Sequence, residues 1–469
     1  MVSELALFGG PPTRTAPFTV EPMLDQEEED RVLAALRGKN LSRYIGANTP
    51  GLSKALRAPS AELVEQDEPW SFFGGPDVRA FAAEFAAAMD APYAISVNSA
   101  TTGLSVGLAA AGVSPGDEVI MPAISYSATS SAALMIGAIP VFVDVLPDTF
   151  CIDPEAVAQA ITPRTRAILP VHLIGNIANM DALLALAAEH NLVIIEDAAQ
   201  VIGATWNGRC AGTIGDCGVF SLQQSKNITT GEGGVIVTRS PEIARRARLI
   251  INHGEVAFDE TATDDDLFNT IGFNFRMPEL CAAMGRAQIR KLTRVNEWRT
   301  KNAEILRHGF QSVRGLDVPP KQDDQSSAVT VPHLFVALYN SAALHGIPRS
   351  VFVAALRAEG VPVGTGYTRT LYASPHFMRR MALGRDNFPW RMGLQNSEVQ
   401  YRQGQCPIAE SLLEETFLWF YHIAHPSTDA DMADIIKAVS KVSDQAENLR
   451  DILDADLGDL AAKSQGRIL

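Results

Sequence analysis

Cysteine is scarce in this chain. Five are spread over 469 residues, at Cys151, Cys210, Cys217, Cys281 and Cys406. An odd count with no C-x-x-C pair indicates neither a disulfide framework nor a thiolate zinc site; reduced thiols and a cytoplasmic location are expected. Basic charge is short as well: 39 lysines and arginines face 54 acidic residues, for a net charge of −15. No basic field is left to neutralise phosphate backbones, which argues against nucleic acid as a partner. No apolar run is long enough to cross a membrane, and Met1 to Leu5 lacks the basic-then-apolar pattern of a secretion signal, so no membrane association is expected. Histidine and cysteine do not cluster at ligand spacing, so no metal is expected. No Gly-x-Gly-x-x-Gly turn follows the first strand-like run, which counts against a nicotinamide-dependent dehydrogenase.

What is present is an ordinary globular composition, 46% hydrophobic and 20% charged, in a chain long enough for two or three domains, or one large and one small. Residues 1–75 read as an arm and an irregular insert. Gln26 to Arg37 forms an amphipathic helix with an acidic start. A turn follows at Asn48-Thr49-Pro50-Gly51 and an acidic patch at Glu65-Gln66-Asp67-Glu68; this stretch, 41–72, reads equally as a mobile loop over a site or as surface decoration. Over 76–310, short apolar runs alternate with helical periods: strands at Tyr93–Val97, Glu118–Pro122, Val141–Asp144, Arg166–Val171, Leu192–Asp197 and Val235–Thr238. That alternation gives an α/β unit with a mainly parallel sheet covered on both faces. Thr261 to Leu267 reads as an acidic loop, and Met277 to Arg307 as a long connecting helix. Residues 311–442 change to a smaller α+β C-terminal domain, and 443–469 form a charged tail of helical period.

Sites in such sheets lie at the carboxyl ends of the strands. Lys226 is held between two strand-like runs, with Ser221 before it and Gly231, Gly233 and Gly234 after it. Glycines permit a close-approaching turn, where a desolvated amine can lose its proton and form a Schiff base; a lysine beside such a turn is also a common hairpin end. Ser99-Ala100-Thr101-Thr102 turns a strand into a helix, where free N–H groups and small side chains suit a phosphate, or simply cap the helix. Ser221 can add a hydroxyl to the same phosphate. Tyr126 can stack on a planar ring or belong to the core. Asp197 ends a strongly apolar strand, and its carboxylate needs a partner; a pyridinium N–H is one and a metal is the rival. Gln200 can hydrogen-bond a ring substituent. In that chain order, these features describe a pyridoxal-phosphate enzyme.

The motifs Asn98-Ser99-Ala100-Thr101-Thr102-Gly103-Leu104, Gly116–Pro122, Val171–Asn176, Glu196-Asp197-Ala198-Ala199-Gln200, Ser225-Lys226 through Gly234, Gly272–Met277 and Cys406–Glu410 extend the reading. In them the chain resembles the DegT/StrS family of sugar aminotransferases, fold type I pyridoxal-phosphate enzymes, over residues 74–440. The resemblance implies a Schiff base at Lys226, Asp197 on the pyridinium nitrogen, Gln200 on the ring hydroxyl and Tyr126 on the ring face. Ser99, Ala100, Thr101 and Ser221 would hold the phosphate, and Asn274 would reach the phosphate of a neighbouring subunit, making a homodimer with shared sites. It also implies transfer of an amino group from glutamate or glutamine to a keto group on a nucleotide-linked sugar or a cyclitol. The segments Leu5–Pro11 and Gly364–Tyr372 look more like the ketocyclitol branch that feeds antibiotic biosynthesis. His172, Arg276, His333, Tyr367 and Arg369 are candidate contacts for substrate or donor, or surface and interface residues. A branch that dehydrates instead carries histidine in place of the lysine; a dehydratase-like or non-catalytic regulatory relative stays as the alternative. The phosphate turn departs from the family's usual Ser-Gly-Thr by an alanine at Ala100.

Overall fold

The computed structural model describes residues 4–44, 52–64, 72–254, 263–324, 326–384, 386–391, 399–450 and 452. The turn expected at Asn48–Gly51, the acidic patch at Glu65–Glu68 and most of the 443–469 tail lie outside the described residues.

Seven strands form the large sheet: β1 (Tyr93–Val97), β2 (Glu118–Pro122), β3 (Ile139–Val143), β4 (Thr165–Ile168), β5 (Val193–Asp197), β6 (Cys217–Ser221) and β7 (Gly234–Thr238). Their order is β1-β7-β6-β5-β4-β2-β3. The pairs β6/β5, β5/β4, β4/β2 and β2/β3 are parallel, while β7 runs antiparallel to both β1 and β6. Six strands therefore point one way and only β7 runs back. Most of these strands are buried on both faces, which is why they read as apolar runs without alternation. The carboxyl ends of β1, β5 and β6 fall together: Val97 and Ser221 both pair with Gly234, and Asp197 pairs with Val219.

The helix Ala100–Ala110 follows β1 and crosses the sheet at close range. A Cβ at Gly103 would come 2.7 Å from Val219 Cγ1, and one at Gly107 2.9 Å from Cys217 Sγ. These two positions, four residues apart on one helical face, let the helix press against β6. A second apolar core lies in the smaller C-terminal unit, where the strands Leu316–Asp317, Phe335–Tyr339 and Phe417–Phe420 form a separate sheet. The helix Glu279–Phe310 runs from the first core into the second.

Four expectations shift. The strand read as Arg166–Val171 ends at Ile168, because Pro170 has no N–H to donate, and only an isolated bridge at Val171 continues toward Asp197. Asp264–Leu267, expected as loop, forms a helical turn whose acidic start suits the helix dipole. Part of the insert is ordered: Leu52, Leu56 and Phe72 pack on Leu249. The arm is stitched to the small unit. Leu5 belongs to the second core, and the fully buried carboxylate of Glu359 accepts from Ala6 N (2.8 Å), Thr13 N (2.9 Å) and Lys441 Nζ (2.9 Å). Among the described residues, no helix is long and apolar enough to cross a membrane.

Gly218, in the middle of β6, faces the backbone of Gly212, whose Cα a Cβ at Gly218 would approach to 2.5 Å. Rigid backbone cannot give way there, so Gly218→Ala should cost about 1–3 kcal/mol of stability. A urea midpoint equal to the wild type's would show that the β5–β6 connection has slack that this packing denies.

Candidate active site

Asp197 is the last residue of β5. Its N–H donates to Pro170 O and its C=O accepts from His172 N, so backbone bonds on both sides lock it to the chain leaving β4. The carboxylate is 6% exposed. Thr129 Oγ1 donates to Oδ2 (2.9 Å) and Ala199 N to Oδ1 (3.3 Å). Burial nevertheless pushes its pKa up, against the pull of those hydrogen bonds and of Lys226. Among the described residues no cation forms an ion pair with this carboxylate.

Lys226 rides on the turn between β6 and β7. Gly231 takes φ +82°, where a side chain would be strained, and a Cβ at Gly234 would fall 2.6 Å from Ala100 N. The turn therefore brings the lysine loop and the N-terminus of the Ala100–Ala110 helix into one corner. Burial lowers the Lys226 pKa to about 8; Asp197 opposes that shift and Arg299 adds to it. Among the described residues its Nζ makes no hydrogen bond or ion pair. At pH 7 about a tenth of such amines are neutral, against roughly one in a few thousand for an ordinary lysine.

Ser99 caps the Ala100–Ala110 helix, its Oγ accepting from Thr102 N (3.2 Å). Its hydroxyl thus does the capping work, and among the described residues the N–H groups of Ala100 and Thr101 have no acceptor. Ser221, at the end of β6, is held next to that terminus through Gly234. Tyr126 precedes the helix Ser127–Met135 and is 66% exposed, unusual for a tyrosine beside a buried core. Gln200 is held at both ends of its amide: Oε1 accepts from Ile174 N (2.7 Å) and Nε2 donates to Tyr367 Oη (3.1 Å). Burial pushes Tyr367 up to about 12, with Asp197 and Tyr126 close enough to add to the shift. His333 comes from the small unit, buried beside Lys226, with Nδ1 3.4 Å from Asn227 Oδ1; burial, then the charges of Lys226 and Arg299, hold it neutral.

The remaining sequence-predicted residues lie in different surroundings. His172 has no exposed surface and both ring nitrogens are used: Nδ1 accepts from Ala178 N (3.1 Å) and Nε2 lies 2.9 Å from Glu196 Oε2. It is a core residue behind the site, not a substrate contact. Arg276 Nη1 donates to Asn252 Oδ1 (2.7 Å) and its guanidinium lies over the Tyr44 ring, at 5.3 Å. Arg369 is exposed and makes no hydrogen bond or ion pair among the described residues. Asn274 is exposed, bridges to Asn252 and follows the exposed Ile271 (86%) and Phe273 (54%). Thr129, Glu196 and Arg299 were not singled out by sequence. Glu196 points to the opposite face from Asp197 and gathers the N–H groups of Gly212, Ile214 and Gly215, each at 2.7 Å. The acidic pair at the strand end was legible; its division into one structural and one site carboxylate follows from the alternation of a strand. Among the described residues, no group of three or more His, Cys, Asp or Glu could hold a metal ion.

A model of the DegT/DnrJ/EryC1/StrS aminotransferase family matches residues 57–440. The chain belongs to that family. It is an aminotransferase, and its large, mainly parallel sheet is the α/β fold of that family. It is 34% identical over 453 residues to the L-glutamine:2-deoxy-scyllo-inosose aminotransferase of Streptoalloteichus tenebrarius, covering 94% of this chain and 98% of that one. The enzyme of the same name from Streptomyces fradiae is 34% identical over 457 residues, with the same coverage. Among solved structures, DesI in the presence of its TDP-sugar product superposes with a TM-score of 0.73 at 27% identity, covering 99% of this chain and 100% of that one.

The buried amine carries a stability consequence. Below about pH 8 Lys226 is protonated folded and unfolded, and the folded chain bears the full cost of a buried ammonium. Between about 8 and 10.5 only the unfolded chain keeps the proton, so wild-type stability climbs with pH. Lys226→Met should therefore be more stable than wild type by about 1–3 kcal/mol at pH 7, with the gap closing toward pH 10. Urea midpoints of the cofactor-free proteins at the two pH values check this; a gap that is absent or that widens with pH contradicts the lowered pKa.

Proposed function

We propose that this aminotransferase uses pyridoxal phosphate to move an amino group from L-glutamine, or glutamate, to the keto group of a cyclitol, in the building of an aminoglycoside-type antibiotic. One observation carries the cofactor: a lysine amine with lowered pKa, a buried carboxylate without a cation and an exposed tyrosine face converge beside a helix N-terminus with free N–H groups. That set fits a flat ring bearing a basic nitrogen and a phosphate. The cyclitol and the glutamine donor are supported by the names of the two relatives at 34% identity, which match nearly end to end.

Pyridoxal phosphate, when bound, supplies a carbonyl that condenses with amines and a protonated ring that draws electrons from the substrate carbon. The residues do the rest. The N–H groups of Ala100 and Thr101, with the hydroxyl of Ser221, bind the phosphate at the positive end of the helix. Asp197, oriented by Thr129 and Ala199, holds the proton on the ring nitrogen. Tyr126 covers one ring face and Gln200 offers its remaining amide hydrogen to the ring hydroxyl. Lys226 Nζ takes the proton from the donor's α-carbon in the first half-reaction and delivers one to the acceptor's ring carbon in the second. Tyr367 and Arg369 line the approach of the acceptor, and Arg276 meets the donor carboxylate. The retained Lys226 gives no support to a dehydratase or regulatory role.

The active unit we propose is a homodimer in which the partner subunit's Asn274 completes the phosphate site. Ile271 and Phe273, just before Asn274, expose large apolar side chains that a second copy of the chain would cover. Ile271→Asp with Phe273→Asp should halve the mass seen by light scattering and weaken cofactor retention at least tenfold; an unchanged mass would remove this interface from the dimer.

The assay for the function itself is direct. Purified protein loaded with pyridoxal phosphate should show a visible band that L-glutamine bleaches and that 2-deoxy-scyllo-inosose restores, with an amino-cyclitol found by mass spectrometry. Lys226→Ala should lose turnover by at least about a thousandfold. A band indifferent to every amino donor would overturn the transamination reading.

A further inference from the structure

One buried charge is left unused by this mechanism. Arg299, on the helix Glu279–Phe310, is 3% exposed. Its Nη1 donates to His333 O (2.8 Å) and its guanidinium carbon lies 5.9 Å from the centre of the Tyr421 ring. Its Nε has no acceptor, and among the described residues no carboxylate pairs with it. Buried arginines are ordinarily matched by an acid, because an isolated buried charge is costly. Here the charge is retained without one.

The neighbours of Arg299 all hold the same loop. Tyr421 Oη donates to Ser225 O (2.6 Å). Asn227 Nδ2 donates to Asn296 Oδ1 (2.9 Å), one turn before Arg299 on the helix, and Asn227 Oδ1 faces His333 Nδ1. The residues on either side of Lys226 are thus tied to partners that Arg299 touches or adjoins. The other titratable groups around Lys226 add no positive charge: His333 is held neutral, Tyr367 and Tyr421 are pushed up by burial, and Asp197 is the one acid.

We propose that Arg299 is a positioning residue: through His333 O and the Tyr421 ring it fixes the Ser225–Asn227 loop that carries Lys226, and it places a second, uncompensated buried charge behind that loop. The field of Asp197 favours the ammonium; a second buried cation opposes it, so the lysine can sit close to its carboxylate without becoming a locked ion pair. The proposal rests on Lys226 being the cofactor lysine, and its test is chosen to separate the two.

Competitive acetylation of the cofactor-free protein with acetic anhydride, across pH and read by peptide mass spectrometry, titrates Lys226 alone. The wild-type midpoint should fall near 8. Arg299→Gln and Arg299→His, both neutral in that range, should raise it measurably, whereas Arg299→Lys, which keeps the charge, should leave it at the wild-type position. The histidine variant still offers a donor to His333 O, so it stands in should the glutamine variant fail to fold. An unmoved midpoint in a folded neutral variant, or a rise in Arg299→Lys as large as in the neutral ones, would overturn the role of Arg299. Separately, borohydride reduction of the loaded wild type should leave the cofactor mass on the Lys226 peptide. Its absence there would remove the cofactor reading whatever the midpoints are.

Discussion

The site is built around a carboxylate in a place where a carboxylate is expensive. Asp197 ends an apolar strand, almost wholly buried, with two hydrogen bonds and no facing cation locked to it. Ionised and unpaired, it would cost several kcal/mol. The rest of the large sheet can be understood as the means of placing this one group. Parallel strands bring their carboxyl ends to a common edge, and the bridge between Val171 and Asp197 fixes the aspartate's height there. Gly103 and Gly107 draw the neighbouring helix inward, so its N-terminus meets the same edge. An enzyme that must protonate a ring nitrogen and keep it protonated needs an acid held in this way, because a solvated carboxylate would be screened and mobile.

Lysine and aspartate in such a corner would collapse into a salt bridge if nothing opposed it. Three features do. The lysine is desolvated, its loop is held from the far side by Tyr421 and Asn296, and a second cation lies behind it. The holding groups come from the small unit and the long helix, while Asp197 and Lys226 come from the large one. The chemistry therefore depends on the two cores staying docked, and the buried helix Glu279–Phe310, shared by both, is what couples them.

Much of this was legible in the sequence because it is local. The Lys226 turn announces itself by glycines whose positions prove to be demanded by a positive φ at Gly231 and close approaches at Gly233 and Gly234. The strands read correctly where both faces are buried, and Ser221, Asp197 and the Ala100–Ala110 helix start do fall at one edge of the sheet. The misses are long-range. Thr129 is separated from Asp197 by 68 positions and Asn296 from Asn227 by 69, distances over which a pattern carries no signal. Arg299 reads as one more charged position on a helix rich in arginine, because helical period tells which face is apolar and not which cation is trapped there. His172 misled for the related reason that a strand end marks proximity to a site without saying on which side of the sheet a ring lies.

The same division explains where acceptor recognition can change without harm to the chemistry. The segment from Gly364 to Leu371 is tied at its two ends: Gly364 pairs with Trp419, and Leu371 N donates to Ala123 O (2.9 Å) beyond β2. Between them Tyr367 reaches inward to Gln200, while Thr368 and Arg369 face solvent. A substitution at those two positions leaves Asp197 and the lysine loop in place, since no hydrogen bond among the described residues runs from Thr368 or Arg369 to either. Tyr367 is different. Its hydroxyl shares Gln200 with Ile174, so altering it disturbs the Gln200 amide as well. On the proposed reading, in which this segment lines the approach of the acceptor, change is tolerated at the solvent-facing Thr368 and Arg369 and constrained at Tyr367.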